Sequence, residues 1–184
     1  MSIALRLGFF QVLPSGMFQA PFREYNIEFS ILHSLLWEYY EEFFSAKDPT
    51  EKRMSPKWFY SEQEVAELHD MISNHSARLY SLGVAVDLLN LRPEILLLLY
   101  IKDRDWFHNH ATGNNNSKRF VFNTEHATSD ELPSGKEPVL KVRFKSDVST
   151  VFEMHGLIPG NTVPCTAAAL SLGIQSIEKL QSRS

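Results

Sequence analysis

The segment DRDWFHNHATGNNNSKRF, residues 103–120, contains the residue types in this chain that are best suited to binding a metal ion. Imidazole and carboxylate groups ligate zinc, manganese and iron when they converge on one point. Side chains two positions apart lie on the same side of an extended chain, so His108 and His110 could chelate one ion there. Asp103 and Asp105 would complete such a site. A metal-dependent hydrolase or nuclease centred on these four residues is therefore one hypothesis.

The composition around the two histidines favours a different interpretation. The chain contains neither the His-Glu-x-x-His pattern of zinc proteases nor the paired cysteines of structural zinc sites. Gly113 and the three consecutive asparagines that follow it tolerate left-handed backbone angles and are typical of turns. We therefore predict that residues 105–117 form a solvent-exposed loop that binds no ion, and we expect no cofactor.

Cys165 is the second chemical candidate, because it follows Pro164 at the start of a predicted helix. A helix N-terminus lowers the pKa of a thiol, and His155 lies upstream as a candidate base. A lone cysteine is more often a small buried apolar residue than a nucleophile. Phosphate-binding glycine-rich loops and nucleophile elbows do not occur in the sequence. The sequence therefore offers no complete catalytic constellation and favours a protein that is not an enzyme.

Basic residues on two predicted strands raise the hypothesis of a nucleic-acid-binding surface. They are Lys118, Arg119, Lys141, Arg143 and Lys145. Phe120 lies beside the first pair, and aromatic rings next to basic side chains can stack on bases. Lysine residues on an edge strand also prevent edge-to-edge aggregation, and the chain has a net charge of −4. Direct binding of nucleic acid is therefore the less favoured alternative.

An acidic stripe runs beside the apolar stripe of the first predicted helix. Its members are Glu24, Glu28, Glu38, Glu41 and Glu42. No basic residue lies between Arg23 and Lys47, and like charges four positions apart destabilise an isolated helix by about 0.2–0.5 kcal/mol per pair. A basic partner would remove this repulsion, and Tyr40 and Phe44 at the edge of the apolar stripe would then contact it. We predict that this surface docks a basic protein partner.

The overall composition is that of a folded protein without a membrane span. The chain has 184 residues, of which 43% are hydrophobic and 22% charged, which predicts one globular domain over residues 1–184. The longest apolar run covers residues 95–101, far fewer than the roughly 20 residues that a spanning helix needs. One cysteine cannot form an internal disulfide, which favours a cytoplasmic location.

Helical spacing of apolar residues predicts three helices. The first covers residues 24–46, with Tyr25 on its apolar stripe and a buried face that includes Phe29, Leu32, Leu36 and Phe43. The second begins at a capping box of Ser61 and Glu64 and continues through Leu79 and Leu82 to Gly83. The third covers residues 165–181.

Alternating apolar residues predict several strands. These cover residues 3–9, 84–91, 119–125 and 138–146. The apolar run of residues 95–101 fits either a buried strand or a buried helix. The sequence thus predicts an α+β fold in which an antiparallel or mixed sheet packs with two long N-terminal helices and one C-terminal helix.

These patterns favour a small intracellular interaction protein that recognises a basic partner through an acidic helix surface. An inhibitor or immunity-type protein against a nucleic-acid-acting toxin or effector would have this character. Complementary charge speeds the encounter of two proteins and suppresses wrong partners, but it does not identify the partner. The sequence indicates neither the partner nor the oligomeric state.

Overall fold

In a computed structural model of the protein, the described residues are 2–6, 9–16, 18, 24–44, 55–88, 91–113, 117, 120–121, 139–141, 157, 160 and 162–182. Over these residues the chain forms six helices and five strands. The helices are α1 (Tyr25–Glu28), α2 (Ile31–Phe44), α3 (Pro56–Phe59), α4 (Gln63–Ser73), α5 (Arg104–Thr112) and α6 (Pro164–Gln181). The strands are β1 (Ser2–Arg6), β2 (Phe9–Leu13), β3 (Ala77–Asp87), β4 (Arg92–Ile101) and β5 (Val139–Lys141). The predicted α+β class is confirmed.

The chain divides into two compact units. The first unit contains Met1–Leu13, Leu79–Leu99 and Glu125–Ser184, and the second contains Pro14–Arg78 and Tyr100–Thr124. The single domain over residues 1–184 stays a prediction.

Over the residues that the structure describes, the strands form two small sheets, where the sequence pattern suggested a single sheet. β1 lies between β2 and β5 and is antiparallel to both, with Ile3 opposite Val12 on one side and Leu140 on the other. β3 and β4 form a separate two-stranded antiparallel sheet. The predicted strand of residues 3–9 is therefore wrong in extent, because the chain reverses direction between β1 and β2. Most of the predicted strands of residues 119–125 and 138–146 lies outside the described residues.

The predicted helix of residues 24–46 is broken in two. Phe29 has a non-helical backbone conformation (φ −77°, ψ 59°) and ends α1. Ser30 then starts α2, because its hydroxyl accepts a hydrogen bond from the His33 N–H at 3.4 Å and its carbonyl accepts one from the Ser34 N–H at 3.0 Å. The break turns Tyr25 and Phe29 towards solvent, where they are 63% and 65% exposed. Their predicted place on the buried face is wrong.

The second predicted helix is shorter at both ends. Ser61 forms no capping box, since its hydroxyl donates to the Trp58 carbonyl at 2.6 Å and α4 begins only at Gln63. α4 ends at Ser73, and His75 follows with a positive φ of 65°, a conformation that an α-helix cannot contain. Leu79 and Leu82 therefore lie in β3, and the prediction that they extend the helix face is wrong.

The two apolar runs at residues 84–91 and 95–101 belong to the hairpin of β3 and β4. The predicted strand of residues 84–91 is confirmed up to Asp87, where β3 ends, and its residues 89–90 lie outside the described residues. The Leu91 N–H donates to the Asp87 carbonyl at 2.7 Å. The run of residues 95–101 is strand β4. The third predicted helix is confirmed as α6, with Pro164 at its first turn, where a missing N–H costs nothing.

The core of the second unit is formed mainly by aromatic and aliphatic side chains of α2, α3 and α4. Leu36, Phe59, Val65 and Leu68 are completely inaccessible to solvent. The Trp37 ring lies 5.2 Å from that of Phe59, between α2 and α3. The predicted burial of Leu36 and Phe43 is confirmed, whereas Leu32 is only partly buried.

Candidate partner-binding surface

The glutamates of the predicted acidic stripe do not form one exposed surface. Glu24 is exposed, and Glu38 and Glu41 are partly exposed. Glu28 and Glu42 are buried, with 0% and 3% of their surface accessible. The buried pair cannot present its charge directly to a partner in this conformation.

Each buried glutamate accepts a hydrogen bond from a backbone N–H group that precedes α1. The Glu28 carboxylate accepts a hydrogen bond from the Glu24 N–H at 2.6 Å. The Glu42 carboxylate accepts one from the Ser15 N–H at 3.0 Å. A buried carboxylate is costly unless its oxygens are hydrogen-bonded, and these backbone donors offset part of that cost. Both side chains therefore serve the fold of the segment that precedes α2.

Glu38 lies against the same segment. A side-chain carbon added at Gly16 would collide with the Glu38 carboxylate, so the absence of a side chain at Gly16 permits this close approach. Three of the five acidic residues of the stripe thus contact Ser15, Gly16 or the backbone of Glu24.

Tyr40 and Phe44 are core residues rather than edge residues. The Tyr40 hydroxyl donates to the Glu62 carboxylate at 2.6 Å, and burial together with this hydrogen bond raises the pKa of Tyr40. The Phe44 ring packs 5.5 Å from that of Phe120 and is 5% exposed. Their predicted contact with a partner has not been tested, but in this conformation both side chains lie inside the second unit.

The segment around α1 exposes a group of large apolar side chains that the sequence pattern did not reveal. Its members are Phe18, Tyr25, Ile27, Phe29 and Ile31, all at least 40% exposed. The rings of Phe18 and Phe29 lie 4.6 Å apart. Glu24 is the exposed residue that immediately precedes α1. We call these six residues the α1 surface.

The segment that contains the two histidines is a helix, so the predicted loop of residues 105–117 is wrong over α5. Asp103 caps the helix, since its carboxylate accepts hydrogen bonds from the Asp105 and Trp106 N–H groups at 2.8 and 3.2 Å. Gly113 ends the helix with a left-handed conformation (φ 74°). Asp103 and Gly113 are residue types that commonly start and end a helix, so the sequence contained a signal for both ends of α5.

The helix separates His108 from His110. Residues two positions apart on an α-helix are rotated by about 200°, so their side chains diverge. His108 is exposed, while His110 is 1% exposed and stacks on Phe120 with ring centroids 5.0 Å apart. The His110 Nε2 atom lies 3.4 Å from the Glu67 carboxylate. Within the part of the chain that the structure describes, no three histidine, cysteine, aspartate or glutamate side chains are grouped to hold a metal ion.

The single thiol is not activated. Burial, followed by a hydrogen bond to Glu94, raises the pKa of Cys165 to about 11. A helix N-terminus would lower it, but that influence is smaller here than burial and the neighbouring carboxylate. Burial and the neighbouring Glu94 carboxylate thus favour the protonated thiol over the thiolate that a nucleophile would need.

The predicted nucleic-acid surface falls largely on residues that the structure does not describe. Lys118, Arg119, Arg143 and Lys145 lie outside the described residues. Lys141 is the last residue of β5, where its backbone pairs with Ser2. Binding of nucleic acid by these side chains stays a prediction.

A buried histidine lies at the start of α2. The His33 Nδ1 atom is 3.1 Å from the Tyr60 hydroxyl, and its ring packs on Trp37 and Phe59. Its Nε2 atom is buried and has no hydrogen-bond partner among the described residues. Burial lowers the pKa of His33, and the nearby Glu28 carboxylate opposes this only in part. The neutral form is therefore the one that fits the core.

This burial predicts that the protein loses stability as the pH falls below neutrality. The pKa of His33 is lower in the folded chain than its ordinary value of 6.5, so the unfolded chain takes up the proton first. Stability is retained above about pH 6.5 and is lost as the pH falls from there towards the folded-state pKa. Urea unfolding at about pH 7.5 and 5.5 measures this loss, which should be smaller in His33→Phe.

The matched control for this prediction is His108→Phe, since His108 is an exposed histidine on α5. That variant should keep the pH dependence of the wild-type protein. An equal loss of stability between the two pH values in His33→Phe and the wild-type protein would contradict the prediction.

Two further findings bear on the function of the chain. No helix among the described residues is both long and apolar enough to cross a membrane. The chain matches no protein-family model, no curated protein and no solved structure.

Proposed function

We propose that the protein is a non-enzymatic interaction protein whose α1 surface docks a basic protein partner. The observation that carries this proposal is the exposure of Tyr25 and Phe29, at 63% and 65%, next to the exposed Glu24. Exposed groups of apolar side chains mark interaction sites in soluble proteins. Aromatic residues are enriched at the centres of protein interfaces, where they contribute most of the binding energy.

The charges near the α1 surface support a basic partner. Glu24 is exposed and immediately precedes Tyr25 in the chain, and Glu38 and Glu41 on α2 are partly exposed. Lysine and arginine have long apolar stems that lie on aromatic rings, and their charged heads are attracted to the faces of those rings. A basic side chain could therefore contact Tyr25 or Phe29 and reach the Glu24 carboxylate.

This chemistry suits a partner that acts on nucleic acids. Such proteins carry clustered lysine and arginine residues that face the phosphate backbone. An inhibitor or immunity-type protein would cover these residues with an acidic and aromatic surface. We therefore extend the proposal to an inhibitor of a nucleic-acid-acting toxin or effector, acting in the cytoplasm, where a chain with one cysteine needs no disulfide.

The charge of Glu24 gives the proposal its first test. We expect Glu24→Lys to slow association with the partner roughly threefold to tenfold at about 0.01 M salt, where charges act over about 30 Å. At about 1 M salt, where this range falls to about 3 Å, the two association rates should converge. Surface-binding kinetics across a salt series measure both rates.

Asp70→Lys is the matched control, because Asp70 on α4 has a side chain that is 78% exposed and undergoes the same change of charge. Columns that carry the wild-type chain, Glu24→Lys or Asp70→Lys capture proteins from an extract in parallel. A partner should be a basic protein that only the Glu24→Lys column loses. If all three columns retain the same proteins, and association is insensitive to Glu24→Lys at low salt, the proposed charge recognition is wrong.

A further inference from the structure

The hairpin of β3 and β4 exposes a second group of apolar side chains, in the first unit. Its members are Val84, Val86, Leu88, Leu91 and Ile95, with exposures from 46% to 83%. We call these five residues the hairpin face. They differ from the α1 surface in being entirely aliphatic.

The opposite face of the hairpin is covered by α6. Glu94 on β4 forms a hydrogen bond with the side chain of Cys165 on α6. A side-chain carbon at Gly173 of α6 would lie 3.8 Å from Leu82 of β3. Successive residues of a strand point to opposite sides, so Ile95, next to Glu94, points away from α6.

The exposure pattern of β3 changes at Gly83. Leu82 is partly buried and lies near α6, whereas Val84 and Val86 are exposed. Gly83 between them has a φ of 140°, a conformation that L side chains rarely adopt. The hairpin thus contacts α6 through Leu82 and Glu94 and exposes Val84, Val86 and Ile95 to solvent.

The tip of the hairpin has an unusual backbone. Leu91 has a positive φ of 58° and is 73% exposed. Glycine or asparagine adopts this conformation at lower cost, and strained residues of other types are concentrated at binding sites. The strained and exposed Leu91, together with the other exposed aliphatic side chains of the hairpin face, is typical of a surface that binds another protein layer.

We propose that a second copy of this chain covers the hairpin face and forms a symmetric dimer. None of the five side chains is charged, so two identical faces can meet without bringing like charges together. Asp87 and Arg92, at the two ends of the tip, carry opposite charges. The α1 surface carries Glu24 and would repel its own copy, so it is less suited to self-association.

The exposed area is sufficient for a small dimer. From their exposed fractions, the five residues present roughly 600 Å² per copy, so a dimer would bury about 1,200 Å² in total, the lower limit of stable interfaces. The proposal is independent of the α1 surface, because it involves different residues on the other unit.

Sedimentation velocity of the full chain tests the proposal. At about 100 µM, well above the micromolar dissociation constants of weak small interfaces, we expect a mass near twice the 21.1 kDa of the chain, falling towards one chain on dilution. Val86→Lys and, separately, Leu88→Lys at the tip should halve the mass at the same concentration. Phe29→Lys on the α1 surface is the control and should remain dimeric. Circular dichroism shows whether each variant is folded.

Mixing wild-type chains that carry a donor fluorophore with wild-type chains that carry an acceptor provides a second readout of association. Energy transfer between them should appear at about 100 µM and disappear in Val86→Lys. A wild-type mass of one chain at about 100 µM would overturn the proposal, because even a weak interface of this size associates there. So would a dimer that persists in folded Val86→Lys and Leu88→Lys, or one that only Phe29→Lys dissociates.

Discussion

Replacing Leu36 by alanine is expected to lower the free energy of unfolding by about 2–5 kcal/mol. Leu36 lies on α2 with 0% of its surface exposed, in the core where Phe59, Val65 and Leu68 are equally buried. The substitution removes apolar contacts and leaves a cavity that the aromatic side chains around it cannot close without moving. Urea unfolding monitored by tryptophan fluorescence and by circular dichroism measures the change.

Ile31→Ala is the matched control for this prediction. Ile31 is the first residue of α2 and is 40% exposed, so its truncation should change stability by no more than about 1 kcal/mol. An unchanged unfolding midpoint in Leu36→Ala, or an equal loss in both variants, would show that the buried face of α2 is assigned wrongly.

Replacing Phe29 by alanine is expected to weaken partner binding by about 2 kcal/mol, or roughly 30-fold, without a matching loss of stability. Phe29 is 65% exposed and packs on Phe18, so it contributes little to the core but offers a large ring to a partner. Loss of a buried interface anchor mainly speeds dissociation. Surface-binding kinetics should therefore show a faster dissociation rate and a nearly unchanged association rate, the reverse of the result expected for Glu24→Lys.

Val121→Ala is a control for the loss of exposed apolar surface. Val121 is 54% exposed, and its backbone N–H donates to the Phe43 carbonyl at 2.9 Å. The substitution keeps this hydrogen bond and should leave the dissociation rate unchanged. Equal dissociation rates for the wild-type chain and Phe29→Ala would show that the Phe29 ring is not part of the proposed interface.

The sequence predicted a helix well where the spacing of its apolar residues and the residues at its ends indicate the same bounds. In α6 the apolar spacing and Pro164 indicate the same helix start. In α2 the spacing places Leu36 and Phe43 inside correctly. The pattern failed at Phe29, because apolar periodicity continues across the break between α1 and α2. Ser30 is itself a typical helix start, so the break had a local signal.

The histidine segment shows how composition can mislead where capping residues are informative. Asparagine and glycine suggested a loop, but Asp103 and Gly113 are the cap residues of α5. The burial of His110 depends on Phe120, which returns to it beyond the end of the helix with its N–H donating to the His110 carbonyl at 2.9 Å. That contact depends on how the chain folds back after α5, which the residue pattern does not specify.

The acidic stripe was predicted from spacing alone, which cannot show which carboxylates find internal partners. Glu28 bonds to a backbone group four residues away, a contact that local spacing could have suggested. Glu42 bonds to the N–H of Ser15, 27 positions away, and Glu38 lies against Gly16. Those contacts depend on where Ser15 and Gly16 lie in the folded chain, so sequence reasoning could not show that Glu42 is buried.

Site-specific photo-crosslinking tests the proposed α1 surface most directly. A benzophenone-bearing phenylalanine analogue placed at position 29 or at position 88 reports which exposed surface a captured partner touches. Both positions are well exposed, at 65% and 83%, and they lie on different units. We expect the basic partner to cross-link from position 29 and not from position 88. Cross-linking to the partner from position 88 alone, with none from position 29, would contradict docking at the α1 surface.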